Sequence, residues 1–197
     1  MAAARKLDAD LLSEAEVEAL MRACSKRAPS GRRNRAMIAV MFRCGLRCSE
    51  LLALMPKDVD AEQGRLVVQR GKGGKTRTVG LDMGTSLVID GWLASRKKLG
   101  IGPKSPLFCT LQGGPVHSSY LRHALPRIAR KAGIEKRVHP HGLRHAFTVS
   151  LVRSGAPIYV VRDALGHESI ATTQVYLSRV AGHEVVEMMR GREWTPA

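Results

Sequence analysis

The chain has 197 residues, 44% of them hydrophobic and 25% charged, enough for one domain with a real core, or one domain and a small appendage. Its 32 lysines and arginines against 17 acids leave a net charge of +15, which fits a polyanionic partner, nucleic acid ahead of an anionic membrane. No apolar run reaches about 18 residues, so no membrane span is expected, and Met1 to Asp10 has no apolar core like that of a signal peptide; an aromatic fraction of 4% argues against a base-stacking single-strand binder.

Ser13-Glu14-Ala15-Glu16 reads as a capping box that opens a helix, with Val17, Leu20, Met21 and Cys24 as its apolar stripe. Pro29-Ser30-Gly31 is expected to break the chain before a second helix from about Arg32 to Cys44. Gly45 interrupts, and Cys48 to Leu54 resumes as helix until Pro56. The periodicity then changes. Arg65 to Gln69 and Thr76 to Val79 read as two strands joined by the glycine-rich turn Gly71-Lys72-Gly73-Gly74. Asp82 caps a helix reaching about Leu99, and Leu107-Phe108-Cys109 reads as a short strand before a turn at Gln112-Gly113-Gly114. Ser118 is the expected cap of a helix ending at Gly133. A helix starts near His141 and stops at Gly155, and Pro157 fits the first turn of the next. Short helices over Thr172 to Ser178 and Gly182 to Met189 complete the reading. The expected fold is mainly α with a small antiparallel β-sheet, an α+β arrangement without internal repeats.

The charge is blocked. Ala19 to Ser49 and Gly91 to Ile134 contain no acid but many arginines and lysines, as separate basic surfaces gripping phosphates along a duplex would. Cys24, Cys44, Cys48 and Cys109 lack CxxC spacing and read as free thiols in a reducing compartment.

Three segments carry candidate chemistry: Gly45-Leu46-Arg47-Cys48-Ser49-Glu50-Leu51, His141-Gly142-Leu143-Arg144-His145, and Leu165-Gly166-His167 with Tyr176 nine positions later. Between the first two lies Gly71-Lys72-Gly73-Gly74-Lys75-Thr76-Arg77. Their order and spacing resemble the tyrosine recombinases, the family of phage integrases and Xer proteins, from about Leu12 to about Ser178. The resemblance implies that Arg47 and Arg144 are the two catalytic arginines, Lys72 the catalytic lysine, His141 and His167 the two histidines, and Tyr176 the nucleophile. Lys75, on the same turn, is the alternative general acid. Glu50 is expected to orient Arg47, and His145 and Asp58 to support the site in the same way.

Those residue types suit phosphodiester transesterification. Two arginines clamp the non-bridging oxygens with forked, charge-assisted hydrogen bonds. A lysine in an electropositive site releases its proton to the departing 5′-oxygen. A tyrosine with an ordinary pKa of about 10 attacks more readily where positive charge favours its phenolate. His141 assists proton removal and His167 hydrogen-bonds the phosphoryl group. The implied product is a 3′-phosphotyrosine and a free 5′-hydroxyl, with no ATP and no cofactor or metal.

Each piece has a plainer reading: a surface arginine, a solvated hairpin tip, a helix-capping histidine, a packed tyrosine. A zinc site at His139, His141 and His145 lacks both the acid of HExxH and a cysteine pair. A P-loop at Gly74-Lys75-Thr76 fails because Gln69 stands where the first glycine belongs. The rival functions are a type IB topoisomerase-like relaxing enzyme and a catalytically idle DNA-binding accessory protein.

The expected organisation is an N-terminal extension (1–11), a catalytic domain (12–179) and a C-terminal tail helix (180–197) that docks on a neighbouring subunit. The expected partners are double-stranded DNA, further copies in a homotetramer, and accessory DNA-bending proteins, with no membrane. The expected location is cytoplasmic, on a bacterial nucleoid or encoded by a phage or mobile element. Most members of the resembled family carry a further helical domain upstream. The chain is therefore expected to be either a catalytic fragment of a larger integrase or naturally short, similar to the fimbrial phase-variation recombinases.

Overall fold

The structure is a computed structural model and describes residues 11–69 and 76–166. The expected helices over Thr172 to Ser178 and Gly182 to Met189 lie outside the described residues. Within them the fold is mainly helical with one small antiparallel sheet, as the sequence indicates.

Helix α1 (Glu14–Ala23) starts at the expected capping box. The Glu16 N–H donates to Ser13 Oγ at 3.2 Å, and the Ser13 N–H donates to Glu16 Oε2 at 2.7 Å. Helix α2 (Pro29–Arg43) is the central element and packs against α1 and three later helices. The expected break at Pro29 is instead its first turn, because a helix has no use for an N–H there. Gly31 lies inside α2 for a packing reason: a Cβ at that position would collide with the Ser25 backbone.

After helix α3 (Cys48–Ala53) and a 3₁₀ turn (Pro56–Asp58), three short strands form a meander: β1 (Val59–Asp60), β2 (Arg65–Val68) and β3 (Arg77–Gly80). β1, absent from the sequence reading, is too short to carry a periodic signal; it pairs Val59 with Leu66. Asp58 is buried and accepts from the Met55 N–H and from Gln69 Nε2, so it holds the sheet to the preceding turn. Among the described residues its side-chain hydrogen bonds go to Met55 and Gln69.

Helix α4 (Met83–Lys98) begins at the expected cap, Asp82, whose Oδ1 accepts from the Thr85 N–H at 2.9 Å. Leu107 to Cys109 is not a strand. Among the described residues one bridge forms there, between Cys109 and Pro115. Its backbone carbonyls serve side chains instead: Trp92 Nε1 and Arg96 donate to the Leu107 carbonyl, and Arg33 donates to that of Cys109. Helix α5 (Ser118–Lys131) is capped one residue earlier than expected, by His117, whose Nδ1 accepts from the Ser119 N–H. Helix α6 (Pro140–Arg153) and helix α7 (Ile158–Leu165) follow, with Pro157 as the cap of α7 rather than a residue of its first turn. No helix among the described residues is long and apolar enough to cross a membrane.

Candidate active site

The first candidate segment is built by a glycine. α2 ends at Cys44, and Gly45 turns the chain with φ +62°. A side chain there would both be strained and strike the Phe147 ring of α6. The turn buries Leu46 and sets Arg47 as the cap of α3. Gly45→Ala is expected to cost roughly 2 kcal/mol or more in urea unfolding.

Glu50, one turn into α3, is 5% exposed. The Arg47 N–H donates to its Oε2 and Arg47 Nη1 to its Oε1, both at 2.8 Å. This is the orientation expected from the sequence, but Glu50 does more. Arg77 of β3 donates Nη1 to Oε1 at 2.9 Å and Nη2 to Oε2 at 2.8 Å. Arg144 of α6 brings Nη1 to 3.8 Å from Oε2. One carboxylate thus gathers three arginines from α3, β3 and α6. Burial pushes its pKa up, but the bonds from Arg77 and Arg47 outweigh it and hold it at about 2.

Arg144 is 5% exposed, and its plane is fixed by carbonyls from two other candidate segments. Nη1 donates to the Gly45 carbonyl at 2.6 Å and Nη2 to the Leu165 carbonyl at 2.7 Å. The structure therefore knits the Gly45-Leu46-Arg47 segment, the His141 to His145 segment and the start of Leu165-Gly166-His167 into one assembly.

Arg47 and Arg144 line a cleft of about 580 Å³, with Cys48, Ser118, Arg122, Arg137, His139 and His141 among its other walls. No acid lines it. The N-terminus of α6 opens at His139 and Pro140, adding the positive end of a helix dipole. His141 is exposed at this rim. Desolvation first, then the charges of His139, Arg144 and Arg47, lowers its pKa, so its ring favours the neutral, proton-accepting form. The His139 and His141 rings lie 6.5 Å apart. Among the described residues, no three His, Cys, Asp or Glu side chains stand together in a way that could hold a metal ion. His145 is half-buried one position beyond Arg144.

Lys72, Lys75, His167 and Tyr176 lie outside the described residues. Their described flanks meet at Arg77: β3 follows the segment of Lys72 and Lys75, and the end of α7 precedes His167. Arg77 Nε donates to the Ala164 carbonyl at 3.2 Å. Gly166 ends α7 with φ +60°, and a Cβ there would sit 2.9 Å from Arg77 Cδ. Arg77 closes the Gly71 to Arg77 segment, and the family resemblance assigns it no role. A signal was present, since strand alternation puts Arg77 on the face of buried Val79, where a charge needs a carboxylate.

The model of the Phage integrase family matches residues 10–183. The chain is 40% identical over 171 residues to tyrosine recombinase XerD of Pseudomonas putida, covering 84% of this chain and 56% of the relative. It spans about half the length of the curated relatives it matches. Among solved structures it is similar to the XerA recombinase (TM-score 0.80, 33% identity, 93% of this chain and 66% of that one). It is also similar to the XerH recombinase bound to its difH substrate before cleavage (TM-score 0.73, 30% identity, 85% of this chain and 49% of that one).

Proposed function

Since the chain belongs to the phage integrase family, we propose that it is the strand-transfer domain of a site-specific tyrosine recombinase acting on duplex DNA. Tyr176 attacks phosphorus through its phenolic oxygen, and His141 helps remove the phenolic proton. The bond from phosphorus to the 5′-oxygen breaks, and Lys72, with Lys75 as alternative, gives that oxygen a proton. A 3′-phosphotyrosine and a 5′-hydroxyl result. Attack by the 5′-hydroxyl of a second duplex reverses the step and completes the exchange, with the phosphodiester energy conserved. Arg47 and Arg144 hold the non-bridging oxygens, His167 hydrogen-bonds the phosphoryl group, and Glu50 and His145 position the cations.

The observation that carries this reading is the placement of Arg47 and Arg144 on one buried carboxylate, at the wall of a cleft that no acid lines among the described residues. Such preorganised donors act where charge develops in the transition state. Arg144→Lys is accordingly expected to lower the cleavage rate by about 10²-fold, because an ammonium cannot span the Gly45 and Leu165 carbonyls and a phosphate together. A rate within twofold of wild type would remove Arg144 from the clamp.

Residues 12–179 form the catalytic unit in this reading. It acts in a bacterial cytoplasm as a homotetramer on two duplexes, assisted by the 180–197 tail docked on a neighbour and by accessory DNA-bending proteins. XerH, crystallised on its difH substrate, supports duplex DNA as the partner.

The test is to incubate the purified protein with DNA flanking its own gene, denature, and map any DNA end that remains attached to protein. The expected result is attachment at 3′-ends opposite free 5′-hydroxyls, at a defined sequence. Relaxation of plasmids without site preference would instead favour the topoisomerase-like reading. Intact DNA binding with no attachment would leave an idle DNA-binding protein.

A further inference from the structure

Arg77 meets the Glu50 carboxylate as a two-pronged fork, each nitrogen on a separate oxygen. A fork of this kind fixes the rotation of the carboxylate plane as well as its position. The same two oxygens take the backbone and side-chain bonds of Arg47. The direction in which Arg47 leaves its cap therefore depends on how Arg77 holds Glu50. The third arm of Arg77, Nε, binds the Ala164 carbonyl, and Gly166 lies against its side chain. Arg77 is 12% exposed in its side chain and lines no part of the cleft.

We infer that Arg77 is a positioning residue of the strand-transfer site, which sets the Glu50 carboxylate for Arg47 and fixes the turn that ends α7 ahead of His167. The inference rests on the strand-transfer reading above. Arg77 acts through other side chains and touches no substrate. A lysine in its place keeps the charge and loses the fork. Among the described residues the charged groups facing Glu50 are Arg47 at its own helix cap, Arg77 from β3 and Arg144 from α6. Loss of the fork removes the strongest of the bonds that keep Glu50 ionised.

The experiment compares Arg77→Lys and Arg77→Ala with wild type in the 3′-attachment assay, at saturating DNA and over a pH series. Circular dichroism and DNA affinity are measured alongside. Both variants are expected to bind DNA as wild type does and to cleave about 10–100-fold more slowly. The acid limb of their pH–rate profile moves up toward the ordinary carboxylate range, a change that mere loosening of the fold does not produce. If wild type forms the attachment and Arg77→Lys retains both its rate and its acid limb, the inference is overturned alone. A loss that only tracks the folded fraction, with the acid limb unmoved, overturns it as well, and Arg77→Lys decides this even where Arg77→Ala fails to fold. A wild-type protein with no attachment at all overturns the strand-transfer reading, and the inference with it.

Discussion

Tyr176→Phe is expected to abolish the covalent protein–DNA attachment, lowering cleavage by roughly 10⁴-fold or more, while DNA affinity stays within a few-fold of wild type. The effect is expected to be large because, in the proposed strand transfer, the Tyr176 phenolic oxygen is the atom that bonds to phosphorus. The chain has three tyrosines, so the assignment can be tested against the other two. The Tyr120 hydroxyl donates to Asn34 Oδ1 at 2.9 Å, and its ring lies 4.6 Å beneath the Arg33 guanidinium; it is held in packing and lines a different cleft. Tyr159 is 57% exposed on α7 and lines neither cleft, so Tyr159→Phe is the matched control and should cleave at the wild-type rate. Attachment that survives in Tyr176→Phe and vanishes in Tyr159→Phe would move the nucleophile.

Glu50→Ala is the change expected to damage the fold most. It leaves Arg77 and Arg144, buried to 12% and 6% side-chain exposure, without the carboxylate that Arg47 also shares. Removing one partner of a buried ion pair costs about 3–5 kcal/mol, since the remaining charges stay desolvated. Denaturant unfolding should show a loss of that size, accompanied by loss of cleavage as Arg47 is released. A loss below about 1 kcal/mol would mean that the arginines find other partners.

The milder Glu50→Gln isolates the charge through its pH dependence. The folded-state pKa of Glu50 is depressed, from an ordinary 4.5 to about 2. Its stabilising contribution is therefore complete above about pH 4.5 and disappears as the pH falls through about 2. Between those limits the stability of wild type should fall with acid more steeply than that of Glu50→Gln, by up to about one proton in slope. Urea unfolding at stepped pH measures this directly, and parallel curves would count against an ionised, hydrogen-bonded Glu50.

Local chemistry made much of this protein legible from its sequence. The caps at Ser13 and Asp82 act on N–H groups within one turn, so α1 and α4 begin where the residues say. The glycine of Gly45-Leu46-Arg47 marked a turn, and the spacing of the three segments pointed to the family. Even some local signals were ambiguous: Pro29 both breaks helices and opens them, and in the fold it takes the second role, in the first turn of α2. The rest was decided by contacts between residues far apart in the chain. Leu107 to Cys109 has the composition of a strand, but the Leu107 carbonyl accepts from Trp92 and Arg96 and that of Cys109 from Arg33, side chains brought there from α2 and α4. Glu50 read as the partner of its neighbour Arg47. That it also holds Arg77 and lies beside Arg144 follows from where β3 and α6 pack, because a buried carboxylate draws whichever cations the fold brings to its edges.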